Sequence, residues 1–293
     1  MIDFGNVVTA MVTPFNSDNS INYDMALEIG HYLVENGTTT ILLAGTTGES
    51  PTLSHDEELK LFKLFVKEFG GKVKIMAGTG SNSTLTAIES TKMAEDVGVD
   101  ASLQVTPYYN KPSQDGLIKH FESVANHTSI PIMLYNIPGR TGVNMTPETI
   151  CKCSQIPGIM SLKEAAGSVS QLKEIKSLVD PSFQLYSGDD GLTLDFMKEG
   201  AVGVVSVASH CAGLKINEMI NAFKANKITD AEEIHFSLED LFDALFISSN
   251  PAPVKYALSV IGFDVNVLRL PLLPISIEQQ SIIKHCLTKL AII

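Results

Sequence analysis

Short apolar runs alternate along this chain with longer segments whose hydrophobic residues recur at helical spacing. Most of the runs are continuously apolar and about the length of a strand, which is typical of parallel strands covered on both faces. There are eight: VVTAMVT from Val7, TTILLAG from Thr39, VKIMAGT from Val73, ASLQVTP from Ala101, PIMLYNI from Pro131, GIMSLKEA from Gly158, FQLYSG from Phe183 and AVGVVSV from Ala201.

The segments between these runs predict amphipathic helices. HDEELKLFKLFVKEFG from His55 and STLTAIESTKMAEDVG from Ser83 both end in glycine, as helices often do. A helix start is predicted at Thr84, and another at Thr146-Pro147-Glu148, where proline takes the first helical position.

Eight strand–helix alternations favour a (β/α)₈ barrel. The alternative, a doubly wound open sheet, normally carries a glycine-rich phosphate loop after its first strand, and TPFNSD from Thr13 stands there instead. Beyond about Leu214 the pattern is purely helical. We therefore predict an α/β protein with a catalytic barrel over residues 1–222 and a C-terminal helical extension over residues 223–293.

The composition and charge of the chain argue against several kinds of binding partner. The 293 residues are 44% hydrophobic and carry a net charge of −12 with no basic run, which argues against nucleic acid and anionic membranes as partners. The N-terminal segment has no signal-peptide pattern, and no apolar stretch reaches the roughly 18 residues of a membrane span. We expect a cytoplasmic protein.

The cysteines and histidines do not predict a metal centre. The four cysteines match no CxxC or zinc spacing, and the seven histidines form no HExxH pair. We expect unpaired thiols in a reducing compartment, and neither a metal ion nor an organic cofactor.

In a barrel, catalytic residues cluster at the C-terminal ends of the strands. Polar residues occupy five of these ends: GTTGES from Gly45, TPYYN from Thr106, YNIPGRTG from Tyr135, KEA from Lys163 and SGDD from Ser187.

Lys163 stands out because it lies inside the apolar run IMSLKEA, where a charge is costly. Burial would lower its pKa toward roughly 7–8, and the neutral amine could then attack a ketone to form an imine. The alternative is that Lys163 snorkels outward and pairs with a carboxylate. Position alone does not decide between the two.

Other strand-end residues suggest a site for a small acid. GTTGES offers hydroxyls and free backbone N–H groups suited to a carboxylate, and Tyr108, Tyr109 and Tyr135 could relay protons. Of 21 basic residues only Arg140 and Arg269 are arginine. Arg140 follows an active-face strand, and its planar fork suits a carboxylate; we assign Arg269 to structure.

Together, several segments resemble the dihydrodipicolinate synthase family, in its order and at its spacing, over essentially the whole chain. These segments are GTTGESPTLSHDE, AGTGSNST, VTPYYNKPSQDGL, YNIPGRTGV, SLKEA, SGDD and NPAPVKYAL. The resemblance implies a lyase without metal or cofactor that condenses pyruvate with L-aspartate 4-semialdehyde on the diaminopimelate route to lysine. It also implies a homotetramer built as a dimer of dimers.

The resemblance also implies roles for single residues. Lys163 would form the Schiff base, and Tyr135, Thr46 and Tyr109 would relay protons, with Tyr109 reaching into a neighbouring subunit's site. The remaining set would bind substrate: Thr47 and main-chain Val205 at the pyruvate carboxylate, Arg140 at the aldehyde's carboxylate, and Gly188 at the end of strand seven.

Three further expectations depend on this resemblance. N-acetylneuraminate lyase and 2-keto-3-deoxy sugar-acid aldolases share the lysine and tyrosine but typically lack an arginine after strand five, so Arg140 favours aspartate semialdehyde. A ketoacid sensor without catalysis would be expected to have lost the lysine or a tyrosine.

The resemblance also implies a pocket for free lysine, lined by Ser50, Pro51, His55, Glu58, Asn82, Thr86 and Tyr108. In lysine-sensitive members of the family a glutamate stands at the position of Thr86 and a histidine at the position of Glu58. We therefore expect feedback inhibition by free lysine to be weak.

Overall fold

A computed structural model describes residues 3–293. Eight parallel strands close into a barrel in which each strand pairs with the next along the chain and the eighth pairs with the first. The strands are β1 (Val7–Ala10), β2 (Thr40–Leu43), β3 (Lys74–Gly78), β4 (Ala101–Val105), β5 (Ile132–Asn136), β6 (Ile159–Glu164), β7 (Gln184–Ser187) and β8 (Gly203–Ser206). The predicted (β/α)₈ barrel is confirmed, and each of the eight apolar runs contains one strand.

Helices cover the outside of the barrel and continue beyond it. They are α1 (Tyr23–Glu35), α2 (His55–Phe69), α3 (Thr84–Asp96), α4 (Gln114–Ala125), α5 (Pro138–Thr141), α6 (Pro147–Ser154), α7 (Val169–Leu178), α8 (Thr193–Lys198), α9 (Ser209–Lys224), α10 (Ile228–Ala244), α11 (Ala252–Ile261) and α12 (Ile277–Lys289). A 3₁₀ turn spans Ser50–Thr52.

Local sequence explains where several helices begin. The Ser54 hydroxyl accepts from Glu57 N, and the Glu57 side chain accepts from Ser54 N, so α2 begins with a capping box. Helix α6 begins at Pro147 with Thr146 as its N-cap, as predicted. Helix α3 begins at Thr84, as predicted, with Ser83 as N-cap.

Strand alternation produces two cores. Outward-facing apolar residues pack against the helices, whereas inward-facing ones such as Val8, Met76, Leu103 and Tyr186 fill the barrel. The packed interior leaves the C-terminal strand ends as the place where catalytic residues of a barrel gather.

After β8 the chain is helical, as expected, and α10 packs against α9 and α12. The boundary predicted between residues 222 and 223 falls in the last turn of α9, and the division into two regions stays a prediction. The four cysteines are unpaired in the described part of the chain. Across residues 3–293, none of the helices combines the length and the apolar character that crossing a membrane requires.

Candidate active site

A cavity of about 50 Å³ opens at the C-terminal ends of the strands. Six of the eight predicted site residues line it: Thr46, Thr47, Tyr135, Arg140, Lys163 and Gly188. A larger cavity of about 360 Å³ shares Thr46, Tyr135 and Arg140 with it and extends toward α2 and α3. These six sequence-predicted residues therefore meet in one place, although they come from four different strand ends.

Lys163 is buried at the bottom of the small cavity. Its side chain leaves β6 toward the barrel interior, and the residue is only 6% exposed. The Nζ atom lies 4.1 Å from the centroid of the Tyr135 ring. Burial lowers the pKa of the amine to about 7. The positive charge of Arg140 lowers this pKa further, whereas the carboxylate of Asp190 raises it. A large fraction of Lys163 is therefore an uncharged nucleophile near neutral pH.

Tyr135 is adjacent to Lys163 because β5 and β6 pair in that register. Its burial raises the pKa of the phenol to about 12, while Arg140 and the Thr46 side chain act to lower it. The phenol is therefore protonated and can donate a proton to a reacting atom at the amine.

The GTTGES loop supplies the hydroxyls at one wall. Thr47 is 2% exposed, and its Oγ1 accepts a hydrogen bond of 2.9 Å from Asn250 Nδ2. Because the oxygen already accepts from Asn250, the threonine's own O–H is free to donate into the cavity. A carboxylate in the cavity would accept a hydrogen bond from that hydroxyl.

Arg140 lies on the short helix α5, directly after β5. It is largely exposed, yet its side chain contributes to both cavities. A guanidinium at this entrance can bind an incoming carboxylate while its charge disfavours protonation of Lys163.

Gly188 fits the site because of its lack of a side chain. A Cβ there would lie 2.8 Å from Ala165 Cβ and 3.0 Å from Lys163 Cε. A larger residue would therefore press against the lysine side chain.

Two predicted residues lie apart from this cluster. Val205 packs in the barrel interior and is not among the lining residues; Val207, two residues further on, is. Tyr109 lines neither cavity and is 89% exposed, with its backbone in the left-handed region at φ +73°. Within one chain its phenol is not part of the site.

Sequence reasoning missed two buried polar residues. Asn250 reaches the cavity from the segment before α11. Asp190 is 3% exposed, and its carboxylate accepts from Ser206 Oγ at 2.5 Å and from the N–H groups of Val207 and Ala208 at 2.9 Å each. Burial raises the pKa of Asp190 and the three hydrogen bonds oppose this. The segment SGDD indicated that an aspartate lies at this strand end. No sequence pattern indicated which of Asp189 and Asp190 is buried.

Six of the seven residues of the predicted lysine pocket line the larger cavity: Ser50, Pro51, His55, Glu58, Thr86 and Tyr108. Asn82 lies beside them, since its Nδ2 donates to Tyr108 O at 3.1 Å. In residues 3–293, no three His, Cys, Asp or Glu side chains are grouped as a metal site would require.

The fold and the site define a class: a (β/α)₈ barrel with a buried lysine amine facing a cavity at the strand ends. The chain belongs to the Dihydrodipicolinate synthetase family, whose model matches residues 3–290. It is an enzyme, a lyase.

Relatives cover the chain from end to end. It is 48% identical over 290 residues to the 4-hydroxy-tetrahydrodipicolinate synthase of Desulforamulus reducens, covering 99% of this chain and 98% of the relative. It is 49% identical over 294 residues to that of Nostoc punctiforme, covering 100% of both. A solved dihydrodipicolinate synthase from Bacillus anthracis superposes with a TM-score of 0.96 at 45% identity, covering 98% of this chain and 99% of that one. The lysine-bound enzyme of Cyanidioschyzon merolae superposes with a TM-score of 0.97 at 45% identity, covering 99% of each chain.

Proposed function

We propose that this chain condenses pyruvate with L-aspartate 4-semialdehyde through a Schiff base on Lys163, giving 4-hydroxy-tetrahydrodipicolinate. This is the first committed step of the diaminopimelate route to lysine. The relatives that match the chain over its full length carry the name of that activity. The observation that carries the mechanism is the buried Lys163 amine, 4.1 Å from the centroid of the Tyr135 ring at the bottom of the cavity.

The chemistry begins at the amine. Neutral Lys163 adds to the C2 carbonyl of pyruvate, and the resulting carbinolamine loses water to give a protonated imine. The imine withdraws electrons from the methyl carbon, which loses a proton and becomes a nucleophilic enamine. That carbon attacks the aldehyde and forms the new C–C bond. The amino group of the aldehyde substrate then displaces Lys163 from C2, which closes the ring and frees the enzyme.

The surrounding side chains have matching roles. Tyr135 and Thr46 move protons at the carbinolamine and the enamine, because Tyr135 is a protonated phenol beside the amine and Thr46 lines the same cavity. Thr47 donates to the pyruvate carboxylate, with the main chain near Val205 and Gly188 completing that end. Arg140 at the entrance receives the carboxylate of the aldehyde substrate.

Tyr109 requires a second copy of the chain. Its phenol is almost fully exposed and outside both cavities. We assign it to the proton relay of a neighbouring subunit, in a homotetramer built as a dimer of dimers, in the cytoplasm.

Reductive trapping tests the Schiff base. Borohydride added with pyruvate should leave a reduced pyruvyl group on the peptide that contains Lys163, and Lys163→Ala should abolish both adduct and turnover. An adduct on another lysine would overturn the mechanism.

A coupled assay tests the substrates. Purified protein should consume pyruvate with L-aspartate 4-semialdehyde and not with N-acetylmannosamine or glyceraldehyde. Turnover of either alternative aldehyde in preference to the semialdehyde would place the chain with the sugar-acid aldolases, and no turnover with any aldehyde would favour a ketoacid sensor.

A further inference from the structure

The segment NPAPVKYAL, Asn250–Leu258, contains a second buried lysine that the mechanism above does not use. Lys255 on α11 is fully buried, but neither cavity has it in its lining. Its Nζ lies 2.5 Å from Glu49 Oε1, donates to Val267 O at 2.8 Å and sits 4.3 Å from the centroid of the Phe15 ring. A charged group this deep requires a reason, because its desolvation is costly.

The partner of Lys255 belongs to the GTTGES loop. Glu49 is also buried, and its second carboxylate oxygen accepts from Arg269 N at 3.1 Å. Both oxygens are thus held by the C-terminal region. The backbone of Glu49 is left-handed, at φ +56°, a conformation disfavoured for a residue with a Cβ. Such a conformation persists where surrounding contacts determine it, and here the ion pair supplies them.

Backbone hydrogen bonds connect Glu49 to its own loop, including Thr46, which lines the small cavity. Its N–H donates to Thr46 O at 3.1 Å, and its carbonyl accepts from Thr52 N at 2.9 Å. Thr46 and Thr47 lie within three residues of it on the same tight turn. A shift of Glu49 would therefore rotate the turn and move both threonine hydroxyls.

We propose that Lys255 is a positioning residue for the carboxylate-binding loop: through Glu49 it holds Thr46 and Thr47 in the orientation that receives the carboxylate of the ketoacid. This inference rests on the proposed function, because it takes Thr47 as the carboxylate's partner. Lys255 touches no substrate. The C-terminal helical region thereby determines the geometry of a site built by the barrel.

The competing explanation is that the pair serves stability alone. Removing one member of a buried ion pair destabilises any fold, so a loss of activity would not separate the two ideas. The positioning explanation and the stability explanation predict different effects on the KM for pyruvate. Positioning through the loop affects pyruvate binding, whereas general destabilisation lowers the amount of active enzyme and leaves the KM of both substrates unchanged.

The experiment compares three variants of the full-length enzyme. Lys255→Met removes the charge. The double variant Glu49→Gln with Lys255→Met removes both charges, so no unpaired ion is buried. Leu258→Ala is the matched control, because it opens a cavity on the same helix without removing a charge from the loop. Steady-state kinetics and thermal unfolding are measured for each.

We expect Lys255→Met and the double variant to raise the KM for pyruvate roughly tenfold or more, the effect of losing a charged hydrogen bond at the loop. The KM for the aldehyde should stay at its wild-type value. The double variant should regain thermal stability relative to Lys255→Met and keep its raised KM for pyruvate. Leu258→Ala should unfold at lower temperature with both KM values unchanged.

An unchanged KM for pyruvate in Lys255→Met, or its return to the wild-type value in the double variant, would overturn the inference. If Lys255→Met does not fold, the double variant alone decides by the same criterion. Borohydride trapping of pyruvate on the wild-type enzyme separates this inference from the proposed function. Failure of wild-type trapping overturns both, whereas successful trapping with an unchanged KM in the variants overturns only the role of Lys255.

Discussion

The lysine in the middle of an apolar strand admitted two interpretations, a snorkelling surface charge or a buried nucleophile. The structure argues against the first, since Lys163 is 6% exposed and its amine lies over the Tyr135 ring; the role as nucleophile stays a prediction. A snorkelling lysine would place its charged end in solvent, whereas Lys163 directs its amine toward the ring of the buried Tyr135. At this residue the cost of burying a charge is reduced by losing the proton, and the neutral amine that results is the form that the proposed mechanism requires.

This protonation equilibrium predicts the pH dependence of imine formation. With a pKa of about 7, the neutral fraction of Lys163 rises from about a tenth at pH 6 to about nine tenths at pH 8. The rate constant for imine formation, followed by quenching with borohydride, should rise with pH across this range and then level off. Because the charge of Arg140 lowers this pKa and Asp190 raises it, Arg140→Ala should move the midpoint to higher pH and Asp190→Asn to lower pH. A rate that keeps rising to pH 10 would mean an unperturbed lysine.

Arg140 is predicted to distinguish the two substrates. At pH 8, where most of the Lys163 amine is neutral in either case, Arg140→Ala should leave pyruvate trapping nearly intact. It should weaken use of aspartate semialdehyde roughly ten- to hundred-fold, the effect of losing a contact of about 1.5–3 kcal/mol. Arg140→Lys is the matched control, because it keeps the charge and loses the planar fork; it should fall between the two. Equal kinetics for all three proteins would make Arg140 an ordinary surface charge.

At the scale of elements, hydrophobic periodicity was enough to find the barrel. All eight apolar runs contain their strand, and the helix starts at Thr84 and Pro147 are where capping residues placed them. These features are local, since a strand or a helix start depends on a few neighbouring residues. The candidate site followed because the rule that function sits at strand ends needs only the strand positions.

Contacts between distant segments were not predictable in this way. Asn250 and Thr47 are separated by 203 residues, and Lys255 and Glu49 by 206. Periodicity carries no information about which far segment returns to a loop. The family resemblance marked NPAPVKYAL as a signature without giving its contacts.

The larger cavity against α2 and α3 bears on inhibition by free lysine. Glu58 is buried, and its carboxylate accepts from Ser50 Oγ at 3.1 Å and lies 3.4 Å from His55 Nδ1. It is therefore already engaged and does not replace the glutamate missing at Thr86. Inhibition at physiological lysine should be weak or absent, and Thr86→Glu should strengthen it roughly ten- to hundred-fold.

Thr86→Ser serves as the control for this pocket and should behave as the wild type. The measurement is a lysine titration at subsaturating pyruvate. Submillimolar half-inhibition of the wild-type enzyme would show that Glu58 or another residue holds the inhibitor's ammonium group after all.

At the scale of the whole molecule, we propose that a second copy of the chain completes the site, since Tyr109 lines neither cavity. Tyr109 lies in the exposed segment that follows β4, and Tyr108 and Leu85 on α3 are large exposed side chains as well. Large exposed apolar side chains are suited to contact with another protein surface. If Tyr109 of one chain reaches the cavity of a second copy related by a two-fold axis, the reverse contact is also made, because isologous contacts are reciprocal.

This arrangement predicts rescue between two inactive variants. Tyr109→Phe lacks the relay phenol and Lys163→Ala lacks the nucleophile, so each homo-oligomer should be nearly inactive. In a mixed dimer the Tyr109→Phe chain keeps its lysine and receives an intact Tyr109 from the Lys163→Ala chain, which restores one of the two sites. If half of the dimers are mixed, about a quarter of the wild-type activity should return. Subunit exchange is checked by native mass spectrometry of differently tagged chains. Confirmed exchange without any recovery would mean that Tyr109 acts within its own chain, because a site that needs Lys163 and Tyr109 from the same chain is absent from the mixed dimer. A fully active Tyr109→Phe enzyme would mean that the phenol has no role in the reaction.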